Sequence, residues 1–266
     1  MSNDKPMSEE EVRSRMRVLT RRSFAVGAVA AVAGAAGFFW LKGSETAGGI
    51  PWPLRKVFGF NERLGRAAFG DGRLSATFPS ERAAGPGAMR VNGALGLGGE
   101  VDPTWTMEVS SDDGATRRFG LNEVRAVPRT SMVVELKCIE GWSEIFSWAG
   151  ASLGDFMRRH RLGTRSGVAP DPAGDPADLY RYVALETPDG EYYVGLDVAS
   201  ALHPQTLLCY EMAGEPLTLQ HGAPLRLAIP VKYGIKNIKR IGRIRFTDER
   251  PRDYWAERGY DWYSGH

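Results

Sequence analysis

The sequence predicts an α+β domain that is mostly β, about 215 residues long after an N-terminal leader is set aside. Three observations carry that prediction. Short β-rich runs recur at Trp105–Val109, Met132–Cys138, Tyr180–Glu186, Leu207–Glu211, Leu225–Ile229 and Ile241–Phe246. Gly, Pro and Asp turn residues separate them, as half-buried strands require. Helical periodicity is sparse, and no internal repeat or coiled-coil heptad is present.

The elements follow in chain order. Residues 1–45 are an address. Ser23–Leu41 carries nineteen uncharged residues rich in Ala, Gly and Val, close to the ~20 that span a bilayer. The charged stretch before it ends in Thr20-Arg21-Arg22-Ser23-Phe24, a paired arginine that resembles the twin-arginine export signal. That pathway carries folded proteins, so a cofactor inserted before export is expected. No clean A-x-A cleavage site precedes the mature start, and Phe38-Phe39-Trp40-Leu41 suits an uncleaved anchor equally well.

Residues 46–90 read as an irregular wrap, because Pro51, Pro53, Pro79 and Pro86 stand among many glycines. Residues 91–248 form the β-rich body. Within it, helices are predicted at Leu121–Arg125 and at Leu153–His160, where Asp155 suits the positive end of the dipole. Ser166–Asp178 is a Pro/Gly/Asp surface loop. Residues 249–266 are an aromatic tail whose Tyr254, Trp255, Tyr260, Trp262 and Tyr263 are expected to dock back on the domain.

Composition excludes several classes. The 266 residues hold 34 Lys and Arg against 32 Asp and Glu, and the leader accounts for the whole +2 excess. A neutral body has no field that attracts a phosphate backbone, so nucleic acid is not an expected partner. Two cysteines, Cys138 and Cys209, are too few for a four-Cys zinc site or an iron–sulfur cluster. His160, His203, His221 and His266 lack metal-ligand spacing, and no C-x-x-C-H haem motif occurs. Gly150-Ala151-Ser152-Leu153-Gly154 fits G-x-S-x-G, but Ser152 opening a helix reads as a cap before it reads as a nucleophile. A lone Cys138 at a strand end would, on periodicity alone, be a small buried hydrophobe.

Its context changes that reading. Lys137-Cys138-Ile139-Glu140-Gly141-Trp142-Ser143, followed by Trp148-Ala149-Gly150, resembles the metal-ligand strand and loop of the sulfite oxidase family. The likeness is to the bacterial branch that includes the periplasmic methionine sulfoxide reductase catalytic subunit. Tyr182–Thr187, Ala201–Leu208, Tyr210–Leu217, His221–Leu227 and Lys232–Lys239 continue it in the same order. The resemblance runs from about Gly59 to Phe246, and several ordered motifs are far more specific than any one of them.

The resemblance implies the sulfite oxidase molybdopterin-binding fold in residues 91–248, as a single domain without the family's dimerisation domain, and so a monomer. It implies a molybdenum atom held by one molybdopterin and by the Cys138 thiolate, the catalytic ligand. Cofactor contacts are implied at Asn61, Thr187, His221, Arg226, Asn237, Ile238 and Lys239, with Arg226 offering a fork to phosphate. Cys209 is read as core. Histidine at position 221 looks more like the sulfite oxidase side, since the sulfoxide reductase branch tends to carry asparagine there.

The expected activity is two-electron oxygen-atom transfer on a small-molecule oxygen donor or acceptor in the periplasm, most simply reduction of an S-oxide. A sulfite-type oxidase, or a cofactor-free binding module of the same fold, is the alternative. Electrons would pass through an external protein, either a membrane b-type cytochrome or a soluble cytochrome.

Overall fold

The computed structural model describes residues 8–47, 49–69 and 72–266; the first seven residues of the expected leader therefore lie outside the described residues. The chain divides into two compact units, the first ending at Lys56 and the second running Val57–His266.

The first unit is dominated by helix α1, Glu9–Gly43. Ser8 opens it with a capping box: the Ser8 hydroxyl accepts from the Glu11 amide (3.3 Å), and the Glu11 carboxylate accepts from the Ser8 amide (2.9 Å). None of its residues is buried, and its apolar stretch is long enough to cross a membrane. Strands β1 (Thr46–Ala47) and β2 (Ile50–Pro51) make a short hairpin, and helix α2 then covers Trp52–Phe69.

Helix α2 corrects the expectation of an irregular wrap over this stretch. Pro53 falls in the first turn, where its missing N–H had no intrahelical partner in any case. Beyond the helix, residues 72–105 run along the domain without regular secondary structure apart from a short 3-10 turn at Ser80–Arg82 and an isolated bridge from Thr77 to Val134. They are tied down by Phe78 N–H to Val133 C=O and Ala84 N–H to Ile145 C=O, both 2.9 Å.

The second unit carries the expected mostly-β, α+β architecture. In chain order its elements are β3 (Thr106–Ser111), β4 (Thr116–Gly120), α3 (Leu121–Arg125), β5 (Arg129–Lys137), β6 (Ser143–Ser152), α4 (Leu153–His160), β7 (Tyr182–Glu186), β8 (Tyr193–Asp197), α5 (Val198–Leu202), β9 (Leu207–Met212), β10 (Glu215–Pro216), β11 (Arg226–Ala228) and β12 (Arg243–Thr247). One sheet runs β10-β9-β6-β5 with β11 paired to β9, and the other runs β4-β3-β12-β7-β8. Both predicted helices fall where expected. Ser152 is the N-cap of α4, accepting from the Asp155 amide at 3.2 Å, so the G-x-S-x-G pattern makes a helix start and not a nucleophile turn.

Strand β9 sits between two cores. Leu208 and Tyr210 enter the larger one, with Met107, Phe156, Leu185, Leu196 and Phe246; Leu207 and Cys209 enter the smaller one, with Met132, Val134, Phe146 and Trp148. Alternate residues of a strand point to opposite faces, which is why β9 reads as an unbroken apolar run. Close approach fixes the β6–β9 contact. The register shifts at Ala149/Gly150, and a Cβ on Gly150 would stand 2.1 Å from the Leu208 carbonyl oxygen, so only glycine fits there.

The aromatic tail docks, as expected from its composition. Trp262 is buried and donates from Nε1 to the Pro251 carbonyl (2.9 Å). Lys236 and Asp253 form an ion pair at 2.5 Å with side chains 1% and 2% exposed, which ties the tail to the 3-10 turn Gly234–Lys236.

Candidate active site

Cys138 is placed by the longest hairpin of the fold. β5 and β6 pair from Arg129↔Ala151 to Lys137↔Ser143, and the turn closes with Cys138 N–H to Trp142 C=O (2.9 Å) and Gly141 N–H to Cys138 C=O (3.1 Å). Gly141 takes φ +86°, a left-handed conformation in which a Cβ would be strained. Strand alternation puts Cys138 on the face of Met132, Val134 and Leu136, whose first two members belong to the smaller core. The thiol is half-buried and opens on a cavity of ≈ 210 Å³ floored by Phe146, Trp148 and Met212. Burial pushes the Cys138 thiol up.

The opposite wall comes from the β9–β11 region. Arg226 lies cross-strand from Cys209, is buried, and stands over the Trp148 ring at 4.6 Å. Its guanidinium donates to the carbonyls of His221 (3.0 Å) and Asn237 (3.1 Å), and burial pulls it down to about 10. Asn237 accepts from the Ile229 amide at 2.8 Å and thereby locks the end of β11 to the turn beyond it. Lys239 donates to the carbonyls of Asn92 (2.8 Å), Gly93 (2.9 Å) and Gln220 (2.7 Å); burial, with Arg226 nearby, brings it down to about 7. Gly222 (φ +99°) lets its turn approach Lys239, since a Cβ there would lie 2.7 Å from the Lys239 Cβ.

His221 closes a 3-10 turn, Leu219–His221, whose cap is Thr218. The Thr218 hydroxyl lies 2.8 Å from His221 Nδ1 and also accepts from the His221 amide at 3.3 Å. The hydroxyl thereby fixes the ring orientation from the Nδ1 side. Burial, then Arg226 and Lys239, hold the imidazole below its usual range, against the opposing pull of the Arg90 and Met89 backbone. An imidazole held toward its neutral form therefore lines the cavity.

The structure thus gathers Cys138, His221, Arg226, Asn237 and Lys239 around one cavity. It leaves out three residues expected there. Asn61 is the first: it sits on the exposed face of α2 and is not among the residues that line the cavity. Asn92 stands beside Cys138 in its place, donating from Nδ2 to Glu140 (3.1 Å) with the Cys138 sulfur 3.8 Å away. Thr187 is the second. Its hydroxyl is bonded to Asp189 (2.6 Å) and accepts from the Tyr192 amide (3.1 Å), and a Cβ on Gly96 would meet its methyl at 2.3 Å. It buttresses Tyr192 and the 92–96 loop from behind. Ile238 is the third: it is fully buried in the larger core, and its amide already donates to the Lys236 carbonyl at 3.0 Å.

The rim was not legible in the sequence beyond Trp142. It consists of Trp142, Tyr192, Trp255 and Tyr260, with the last two supplied by the tail. Arg90 stacks its guanidinium on Trp142 at 4.4 Å, and the Trp142 indole donates to Glu140 at 2.9 Å. Those bonds from Trp142 and Asn92 hold the Glu140 carboxyl below its ordinary value.

The donor set fits a molybdopterin-type group. Among the described residues, no cluster of three His, Cys, Asp or Glu side chains could hold a bare metal ion. A metal at the lone Cys138 sulfur must bring its remaining ligands with it.

Comparison with known proteins agrees. The family described as oxidoreductase molybdopterin binding domain matches residues 98–255. The protein-methionine-sulfoxide reductase catalytic subunit MsrP of Xanthomonas campestris pv. campestris is 36% identical over 157 residues, covering 58% of this chain and 48% of that protein. A putative protein-methionine-sulfoxide reductase subunit, YedZ1 of Azospira oryzae, is 34% identical over 167 residues, covering 62% of this chain and 58% of its own length. The chain therefore spans about half the length of these relatives. Among solved structures, the sulfane dehydrogenase SoxCD of Paracoccus pantotrophus aligns over 57% of this chain and 40% of that one, with TM-score 0.46 and 15% identity.

Proposed function

The chain belongs to the oxidoreductase molybdopterin binding domain family, and from that premise we propose that it is an exported molybdenum–molybdopterin oxidoreductase acting on a small S-oxide. The observation that carries the reading is the Cys138 thiol opening on a cavity that also gathers His221, Arg226, Asn237 and Lys239. Cys138 would hold the metal as a thiolate, since coordination removes the thiol proton. His221 would face the pterin with its imidazole. Arg226 and Lys239 act through the backbone, fixing the 92–93, 220–221 and 237 carbonyls while lending positive potential to a bound phosphate. When bound, the metal–pterin group supplies the two-electron redox chemistry.

The rim favours a neutral substrate. Trp142, Tyr192, Trp255 and Tyr260 line the cavity and give it aromatic walls. Of the lining cations, Arg226 and Lys239 are committed to carbonyls and Arg90 to the Trp142 ring. A sulfoxide needs one donor and an apolar lip; sulfite needs several free cations. The names of the relatives point the same way. Arg90 is the observation that favours the second reading, a sulfite-type oxidase, because a turn of its side chain would bring a cation to an anion at the mouth.

Electrons would arrive through another protein, a membrane b-type cytochrome or a soluble cytochrome, since the sequence holds no haem or cluster motif. Export by the twin-arginine route to the periplasm is supported by Arg21-Arg22 ahead of the apolar stretch of α1. The test is the molybdenum content of the full chain purified from cells able to make the cofactor, beside Cys138→Ser. About one metal per chain, lost in the folded variant, is the expected result. Folded wild-type protein without metal would sink the enzyme reading in favour of a binding module.

A further inference from the structure

Helix α2 is built inside out. Within the second unit, which takes in the helix from Val57 onward, its inward residues are Glu62 and Arg66, which pair with each other at 3.4 Å. Glu62 also pairs with Arg250, and Arg66 with Asp197 at 3.0 Å, so this face is fixed by charge. The face turned outward carries Val57, Phe60 and Leu64, which are 53%, 56% and 57% exposed. Their spacing of three and four residues puts them in one stripe on a helix. A helix docked only to its own domain would bury that stripe and expose the charges.

From this inversion we infer that the Val57–Phe60–Leu64 stripe of α2 rests in the interface of a lipid bilayer and holds the catalytic unit against it. Two features select lipid as the occupant. The only helix among the described residues that is long and apolar enough to cross a membrane ends at Gly43, and Trp52 opens α2 a few residues later. A linker of that length reaches no more than about 30 Å at full extension, so α2 starts within reach of any bilayer that α1 enters. Charge is the second feature. Lys56 and Arg63 are exposed on positions that border the stripe, the pattern of an interfacial helix facing anionic headgroups. The inference goes beyond the proposed redox activity and does not depend on it.

The experiment reconstitutes the full chain into vesicles of phosphatidylethanolamine and phosphatidylglycerol. Phe60→p-benzoylphenylalanine and Leu64→p-benzoylphenylalanine are photolysed separately, beside a control at Val168, which is 54% exposed on the 166–178 loop outside the stripe. Both sites are exposed, so neither substitution disturbs a core. Adducts with the mass of one lipid at 60 and 64, and their loss at 168, are the expected result. A covalent dimer would overturn the inference by making a second copy the occupant. Absence of any adduct, with the stripe open to solvent in the reconstituted protein, would overturn it as well. Molybdenum content is read on the same samples, so failure here is separate from failure of the cofactor reading.

Discussion

The sulfur of Cys138 lies 3.8 Å from the side-chain nitrogen of Asn92, and the same amide donates to Glu140 at 3.1 Å. One side chain from the long loop therefore orients both the proposed metal ligand and the carboxylate two residues beyond it. Partners of this kind are worth about 10–100-fold in affinity or activity when removed. Asn92→Ala is expected to lower kcat/KM for an S-oxide by about that factor while the fold is kept. Asn92→Asp should be worse, because it places a second carboxylate against Glu140. The check is steady-state kinetics together with the electron paramagnetic resonance signal of the metal, which a purely structural role would leave unmoved.

Thr187 separates two accounts of one residue. The resemblance implies contact with the cofactor, whereas the structure turns its hydroxyl toward Asp189 and the Tyr192 amide. Thr187→Val keeps the shape that Gly96 packs against and removes only those bonds. Loss of about 1–3 kcal/mol of stability is expected, the usual penalty for a buried amide left unsatisfied. Metal loading should stay close to wild type. Urea unfolding and metal analysis of the same preparation decide it: normal stability with lost metal would restore the contact reading.

Much of this site was legible because strand chemistry is local. Cys138 at the end of an apolar run, the turn glycine at 141 and the caps of Leu121–Arg125 and Leu153–His160 all sit within a few residues of the elements that they define. What failed depended on partners far along the chain. Helix α2 was hidden because Pro51 and Pro53 read as breakers, and its inward charges find Asp197 and Arg250 only in three dimensions. Asn92 lies in a glycine-rich segment with no periodicity, so only the fold brings it across to Cys138. Lys232, Lys236 and Arg240 are all buried, a placement that a run of basic residues does not reveal by itself.

The Lys236–Asp253 pair gives a test of how the tail is held. Asp253 accepts from Lys236 at 2.5 Å, from the Gly195 amide at 3.2 Å and from the Ala256 amide at 3.0 Å. Removing one partner of a buried pair costs about 3–5 kcal/mol, because the other charge is left uncompensated. Asp253→Leu strands an ammonium and two amides, while Lys236→Met leaves a carboxylate that still accepts from both amides. Asp253→Leu is therefore expected to be the more damaging, and the double variant less so than the sum of the singles. Urea midpoints of the three variants measure this; additive losses would mean that the pair contributes no coupling.

Acid should destabilise the fold through histidines that are kept neutral. His160 packs between the rings of Phe119 and Phe156, each 4.7 Å away, with Nε2 buried and unbonded. Burial, then Arg117 and Arg159, hold it below its ordinary value, and burial with Lys137 brings His266 down to about 4. A histidine whose folded pKa is depressed binds its proton more readily in the unfolded chain. Between the folded value and the usual ~6.5, the unfolded state therefore carries the extra proton, and stability rises with pH. The contribution is intact above that range and is lost as pH falls through it, down to about 4 for His266. Unfolding midpoints measured from pH 7.5 to pH 4.5 should fall more steeply for the wild type than for His160→Phe, which removes one titrating ring and keeps the aromatic stack. Parallel curves would show that His160 takes no part in the acid response.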